Sequence, residues 1–178
     1  MPHHGPGTIL LEAETIADRV AALAAEVDRT YADAPQPVVL VCVLKGSLMF
    51  TADLARAMTV PMEIDTIAVR SYVAGRQSSG GVELVKDVGI ALRDRDVLIV
   101  EDIIDTGITT SFICDRLRAH QPRSLRLITL LDKPARRACQ VSVDFCGFTI
   151  GDTFVVGYGL DLDERWRELP DVRALDGA

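Results

Sequence analysis

The sequence predicts an α/β protein built on a mostly parallel, twisted sheet flanked by helices, and three observations carry that expectation. Three short aliphatic runs, "PVVLVCVL" (Pro37 to Leu44), "VLIV" (Val97 to Val100) and "SLRLITLL" (Ser124 to Leu131), read as strands, the first buried on both faces and the second also buried. Helical patterns separate them, and strand-helix-strand alternation is the mark of βαβ units. The first two runs stop at polar residues, Lys45-Gly46 and Glu101-Asp102, which therefore sit at one edge of the sheet.

Each element follows in order. From Glu12 to about Ala32 the apolar residues Ile16, Val20, Leu23, Val27 and Tyr31 recur every three or four positions, which predicts an amphipathic helix. Pro37 to Leu44 is a strand, and a helix is expected from about Ser47 to Met58. "MEIDTIAVRSY" is a strand. "VAGRQSSGGVELVKD" opens with Gly and Ser, so its middle is expected to be mobile, and strand character resumes from Val82 to Val85. Val97 to Val100 is a buried strand, residues Ile108 to His120 a helix, and Ser124 to Leu131 another strand. "VSVDFCGFTI" and "TFVVGYGLD" add short strands expected partly outside the main sheet. No repeat, linker or low-complexity segment divides the chain, so residues 1–178 are read as one domain.

Composition narrows the function. With 48% hydrophobic residues, the chain can bury one sizeable core. Nineteen basic residues against 26 acidic ones give a formal net charge of -7, which suits neither a nucleic-acid coat nor an anionic membrane surface. A phosphate ligand would then need local cations or a metal. Cys42, Cys114, Cys139 and Cys146 show no CxxC pairing or zinc spacing and are expected to be buried, reduced thiols, in keeping with a cytoplasmic protein. The first residues lack a basic region followed by a long apolar run, and no segment reaches roughly eighteen consecutive apolar residues, so neither export nor a membrane span is expected.

The chemistry concentrates in "VLIVEDIIDTGITT" (Val97 to Thr110). Ligands of open parallel sheets bind beyond the carboxyl ends of the strands, where loops meet helix N-termini. Asp105-Thr106-Gly107-Ile108-Thr109 reads as a tight turn into a helix, offering unpaired N–H groups, hydroxyls and the positive end of a helix dipole to a phosphate. Glu101 and Asp102 suit ribose hydroxyls or a divalent cation. Adjacent strand residues point to opposite faces, so the two acids meet one ligand only if the strand has already ended there; otherwise one of them is mainly structural. Neither GxGxxG after the first strand nor GxxxxGK[ST] is present, which removes the dinucleotide and P-loop readings.

This stretch resembles the signature of the type I phosphoribosyltransferases, and "EDIIDTG" is most similar to the hypoxanthine-guanine branch. The resemblance also covers "VLKGSLMF" (Val43 to Phe50), "RSY" (Arg70 to Tyr72), "LLDKP" (Leu130 to Pro134) and "FVVGYGLDLDERWRELPDV" (Phe154 to Val172), in the family's order and at similar spacing. Ile108 stands where some relatives carry a basic residue, and Gly159 where some carry alanine. The resemblance implies the type I phosphoribosyltransferase fold with a small hood formed by the N-terminal segment and about residues 132–178. It implies transfer of the 5-phosphoribosyl group from 5-phosphoribosyl 1-pyrophosphate to hypoxanthine or guanine, with Mg²⁺ as cofactor, in a homodimer or homotetramer.

The resemblance also implies roles. Asp105 would be the general base that takes the N7 proton of the purine as the glycosidic bond forms on N9, since a carboxylate is ionised at neutral pH and favours positive charge on the sugar. By itself, such an aspartate also serves as a turn cap. Lys133, before Pro134, would donate to the 6-oxo group. Phe154 would stack on the base, with Val155 offering backbone hydrogen bonds. Asp161 would line the purine site and bind magnesium, with Glu101 and Asp102 as further acidic donors. Arg167 would supply a planar fork to pyrophosphate. Lys45 and Gly46 would bring that turn to the same group, with a cis peptide between Leu44 and Lys45. Ser71 and Tyr72 head a Gly- and Ser-rich stretch, ending at Gly81, that reads as a lid excluding water.

Two other readings compete. A relative preferring xanthine would differ in small features around Val155 and Leu160. A nucleotide-sensing RNA-binding regulator on the same fold would need a basic face, which the net charge disfavours. The aliphatic helix at residues 47–58 is a candidate interface between subunits.

Overall fold

The structure, a computed structural model, describes residues 6–71 and 81–175. The strands are β1 (Thr8–Leu11), β2 (Val38–Leu44), β3 (Met62–Ser71), β4 (Val82–Lys86), β5 (Asp96–Ile104), β6 (Ser124–Asp132), β7 (Phe145–Thr149), β8 (Phe154–Val156) and β9 (Val172–Leu175). The α-helices are α1 (Ala13–Tyr31), α2 (Leu48–Ala57) and α3 (Ile108–Arg118).

Six strands form the main sheet in the order β4-β3-β2-β5-β6-β7. The neighbours from β3 to β7 run parallel, and β4 adds an antiparallel edge. The aliphatic runs fill its centre. Val38 to Val43 and Val97 to Val100 are all buried, so each contributes apolar burial on both faces of the sheet. Every such side chain taken from water stabilises the fold by about 1.5–3 kcal/mol before chain entropy is counted.

Two cores result. On one face Leu40, Leu98 and Val100 pack with the Ile16, Val20, Leu23 and Val27 stripe of α1 and with Phe50 and Leu54 of α2. On the other, Val39, Val41, Val97 and Ile99 pack against Ile113 and Leu117 of α3. The chain passes from β2 outward to β3 on one side and returns to β5 on the other, so the strand order reverses between them. Val39 pairs with Val97 and Cys42 with Val100, which sets the carboxyl ends of β2 and β5 side by side. A crevice opens at such a reversal.

A second sheet, in the order β1-β9-β8, is antiparallel and joins the two ends of the chain. It forms the hood, and Tyr158 Oη ties the turn after β8 to α2 by donating to Asp53 Oδ2 at 2.7 Å. The two late segments lie partly outside the main sheet as expected: β7 pairs with β6 inside it, whereas β8 belongs to the second sheet. β1 and β9 escaped the sequence reading altogether. Each has four residues, and Ile9 and Leu10 of β1 are both exposed, so no alternating pattern marks the strand.

Among the described residues, no helix is long and apolar enough to cross a membrane. All four cysteines are free thiols; Cys42 and Cys114 are buried as expected, whereas Cys139 and Cys146 are only partly so.

Candidate active site

The crevice between β2 and β5 holds a cavity of about 710 Å³. Three segments build most of its wall: the turn after β2, the end of β5 with the turn that follows, and the hood loop that carries Asp161 and Arg167.

The turn after β5 has the geometry of an anion cradle. Gly107 is the N-cap of α3 with φ +81°, a left-handed conformation that favours glycine, and its carbonyl accepts from Ser111 N at 2.8 Å. A Cβ here would lie 3.0 Å from Val141 Cγ2 and 3.1 Å from the Cys139 carbonyl, so the turn is also closely packed from behind. Arg137 clamps it by donating from Nη1 to the carbonyls of Ile104 at 2.8 Å and Asp105 at 2.7 Å, while Nη2 pairs with Asp132. Asp105, Thr106, Gly107 and Thr109 line the cavity; Ile108 does not, and its side chain is exposed.

Glu101 and Asp102 also line the cavity, but β5 does not end before them as a single shared ligand would require. It runs to Ile104, with Glu101 level with Thr129 of β6. The cause is local satisfaction: the buried Glu101 accepts from Thr110 Oγ1 of α3 at 3.2 Å, and Ile103 N donates to Asp102 Oδ1 at 2.8 Å. The two acids therefore serve opposite faces. Burial pushes the Glu101 carboxyl well above the usual carboxylate range, with the Asp102 charge adding to it and the Thr110 hydroxyl opposing. Burial likewise raises Asp102 to about 6; its N–H bonds and the Arg167 guanidinium pull down, and the Asp161 charge pushes up.

Asp102 faces the turn after β2. A Cβ on Gly46 would overlap its carboxylate, so only glycine lets this backbone approach. The Leu44–Lys45 peptide is cis. On the opposite wall Arg167 donates from Nη1 to the Gly159 carbonyl at 2.7 Å, and its Nη2 lies 2.8 Å from Asp161 Oδ1. Gly159 has φ +101°, and a Cβ there would strike the Gly46 carbonyl, which seats the hood loop directly on the β2 turn.

Beyond Asp105 the wall continues into residues the sequence also singled out. Lys133 is 5% exposed, not the solvated loop lysine its residue type suggests, and its Nζ lies 4.0 Å from Asp105 Oδ2. The other oxygen, Oδ1, lies 2.7 Å from Arg136 Nε. Phe154 stands 41% exposed on β8 and so is no core residue, while Val155 behind it is buried. Lys133, Phe154 and Val155 do not line the cavity itself.

Arg136, Arg137 and Glu164 were not anticipated. The basic pair after Lys133-Pro134 and the acid three residues after Asp161 were the available signals, yet charged loop residues are usually solvated. Ser71 ends β3, and Tyr72 with the rest of the expected lid up to residue 80 lies outside the described residues. No group of three or more His, Cys, Asp or Glu poised to hold a metal occurs among the described residues.

A profile of the phosphoribosyl transferase domain matches residues 7–163. The chain is 45% identical over 173 residues to a hypoxanthine-guanine phosphoribosyltransferase of Mycobacterium avium, covering 95% of this chain and 85% of that protein. It is 46% identical over 169 residues to a hypoxanthine phosphoribosyltransferase of Salmonella typhimurium, covering 95% and 94%. Among solved structures, it superposes on a hypoxanthine phosphoribosyltransferase from Staphylococcus aureus with a TM-score of 0.90 at 40% identity, covering 97% of this chain and 93% of that one.

Proposed function

The chain belongs to the phosphoribosyltransferase family, in its hypoxanthine-guanine branch, and we propose from this premise how its residues carry out purine salvage. The 5-phosphoribosyl group passes from 5-phosphoribosyl 1-pyrophosphate to hypoxanthine or guanine, giving IMP or GMP and pyrophosphate. In the reaction the bond from the sugar's anomeric carbon to the pyrophosphate oxygen breaks, a bond to purine N9 forms, and the N7 proton leaves the base.

The observation that carries the assignment of roles is the single cavity on which the β2 turn, the β5 turn and the hood loop converge. The N–H groups and hydroxyls from Thr106 to Thr109 receive the 5-phosphate, helped by the positive end of α3. Asp102, which faces the turn after β2, accepts from the ribose hydroxyls, and Glu101, held by Thr110 on the other face, is the mainly structural one of the pair. Lys45, the Gly46 backbone and Arg167 take the pyrophosphate. Asp105 removes the N7 proton; its side chain is 39% exposed at the cavity wall, open to a ligand. Lys133 donates to the 6-oxo group, Phe154 covers the ring and Val155 offers its backbone.

The acids present fit magnesium of the kind that keeps its waters and relies on substrate phosphates, because they form no three-acid cage among the described residues and Asp161 faces the same cavity as Asp102. Asp161, with Asp102 or Glu101, would hold it, and when bound Mg²⁺ neutralises charge on the departing pyrophosphate. The exposed Leu48 and Met49 of α2 support self-association into a homodimer or homotetramer. A cytoplasmic location accords with the free thiols.

The test is a panel of hypoxanthine, guanine, xanthine, adenine and uracil with the phosphoribosyl donor and Mg²⁺. Product from hypoxanthine or guanine is expected. Turnover of xanthine alone, or of none of the five, would overturn the assignment.

A further inference from the structure

Glu164 has no part in the chemistry above, yet one of its oxygens joins both cations assigned to pyrophosphate. Its Oε2 accepts from Lys45 Nζ at 3.0 Å and from Arg167 Nη2 at 3.1 Å. The two cations come from facing walls, Lys45 from the turn after β2 and Arg167 from the hood loop, and all three residues line the cavity. An anionic oxygen shared by a lysine and an arginine is what a non-bridging pyrophosphate oxygen would be.

We propose that Glu164 is an internal competitor whose carboxylate occupies the pyrophosphate subsite of the ligand-free protein, pairs there with Lys45 and Arg167, and is displaced when pyrophosphate or the donor enters. This rests on Lys45 and Arg167 being the pyrophosphate ligands.

The surroundings allow the displacement. Glu164 and Lys45 are each 64% exposed along their side chains, and an ion pair so open to water is weak and easily outcompeted by a more highly charged anion. The Glu164 backbone stays fixed meanwhile, because its N–H donates to Asp161 Oδ2 at 2.8 Å. Arg167 keeps its orientation through the Gly159 carbonyl and Asp161 after the glutamate leaves. Lys45 has no second ion pair among the described residues, so it is the cation that Glu164 neutralises most. The attraction is mutual: the bonds from Lys45 and then Arg167 hold the Glu164 carboxyl below the usual range.

A competing internal anion makes a prediction opposite in sign to that of a structural brace. Calorimetric titration of the full chain with pyrophosphate in Mg²⁺ would compare the parent with Glu164→Gln, Asp163→Asn, Lys45→Met and Arg167→Gln. Glu164→Gln is expected to bind pyrophosphate about three- to tenfold more tightly, the size of effect two exposed ion pairs allow. Asp163→Asn removes the same charge one residue away and should change binding less than about twofold. Equal or weaker binding by Glu164→Gln would overturn the proposal, as would equal tightening by Asp163→Asn, which would reduce the effect to net charge. If Lys45→Met and Arg167→Gln bind pyrophosphate as the parent does, the subsite assignment itself fails and the proposal falls with it.

Discussion

Arg136 grips Asp105: its Nε lies 2.7 Å from Oδ1, while Nη1 of the same guanidinium reaches Asp152 Oδ1 at 2.7 Å. The candidate base is thus linked through one arginine to the loop that leads into Phe154. Its second oxygen, Oδ2, faces Lys133 at 4.0 Å and remains the one free to meet a purine.

Two variants separate the carboxylate from its ion pair. Asp105→Asn keeps the size of the side chain but cannot take the proton, and is expected to lower kcat by about two to four powers of ten with donor affinity little changed. Arg136→Met breaks the pair and leaves the carboxylate, so kcat should stay within about tenfold of the parent. Equal losses in steady-state assays would assign the effect to the ion pair.

Lys133→Gln should raise KM for hypoxanthine about tenfold or more, because a hydrogen bond from a charged donor is worth about 1.5–3 kcal/mol. Lys133 is buried, so thermal unfolding of the variant must be followed beside its kinetics. Unchanged KM with unchanged Tm would leave Lys133 without a role at the base.

Asp102 carries a stability signature whose sign follows from its raised value. The folded protein holds this proton more tightly than the unfolded chain, so the group costs nothing below its ordinary 3.8 and destabilises the fold as pH rises toward about 6 and beyond. Ligand-free Asp102→Asn should be more stable than the parent by about 1–3 kcal/mol at pH 7.5. The gain should vanish below about pH 4 in denaturant titrations across that range. A gain independent of pH would show that charge burial is not its source.

Gly157 precedes the hood loop with φ +96°, and a Cβ there would strike the Asp171 carbonyl. Gly157→Ala should therefore lower unfolding stability by more than about 1 kcal/mol, read as a shift of the urea midpoint at constant slope. An unmoved midpoint would mean that this part of the hood relaxes without cost.

The central strands were legible because burial on both faces demands unbroken β-branched runs, and Val38 to Val43 and Val97 to Val100 supply them. The end of β5 is less legible. Two adjacent acids after an aliphatic run leave open whether the strand has ended, and only the fold shows Thr110 and the Ile103 N–H satisfying Glu101 and Asp102 within it. Which of the two late segments stays in the main sheet was not legible, because parallel pairing of β7 with β6 needs no local pattern. Asp105, Thr106 and Gly107 stood out because a turn into a helix has a compact signature in the chain. Arg136 and Glu164 did not, since their partners Asp105 and Lys45 are distant in sequence and only the fold brings them near.

The pairing of β1 with β9 sets an order of assembly. Thr8 meets Ala174 only after everything between them has been drawn together, and the entropic cost of closing a loop rises with its length. Neighbouring parallel strands such as β5 and β6 need only one helix between them, so their contacts are far more local. The floor of the site is therefore expected to form before its roof, and native-state hydrogen exchange should find the amides of β1 and β9 opening more readily than those of β5 and β6. A ligand that spans floor and roof then lends the roof its own binding energy, which couples residence of the ligand to the lifetime of the closed form.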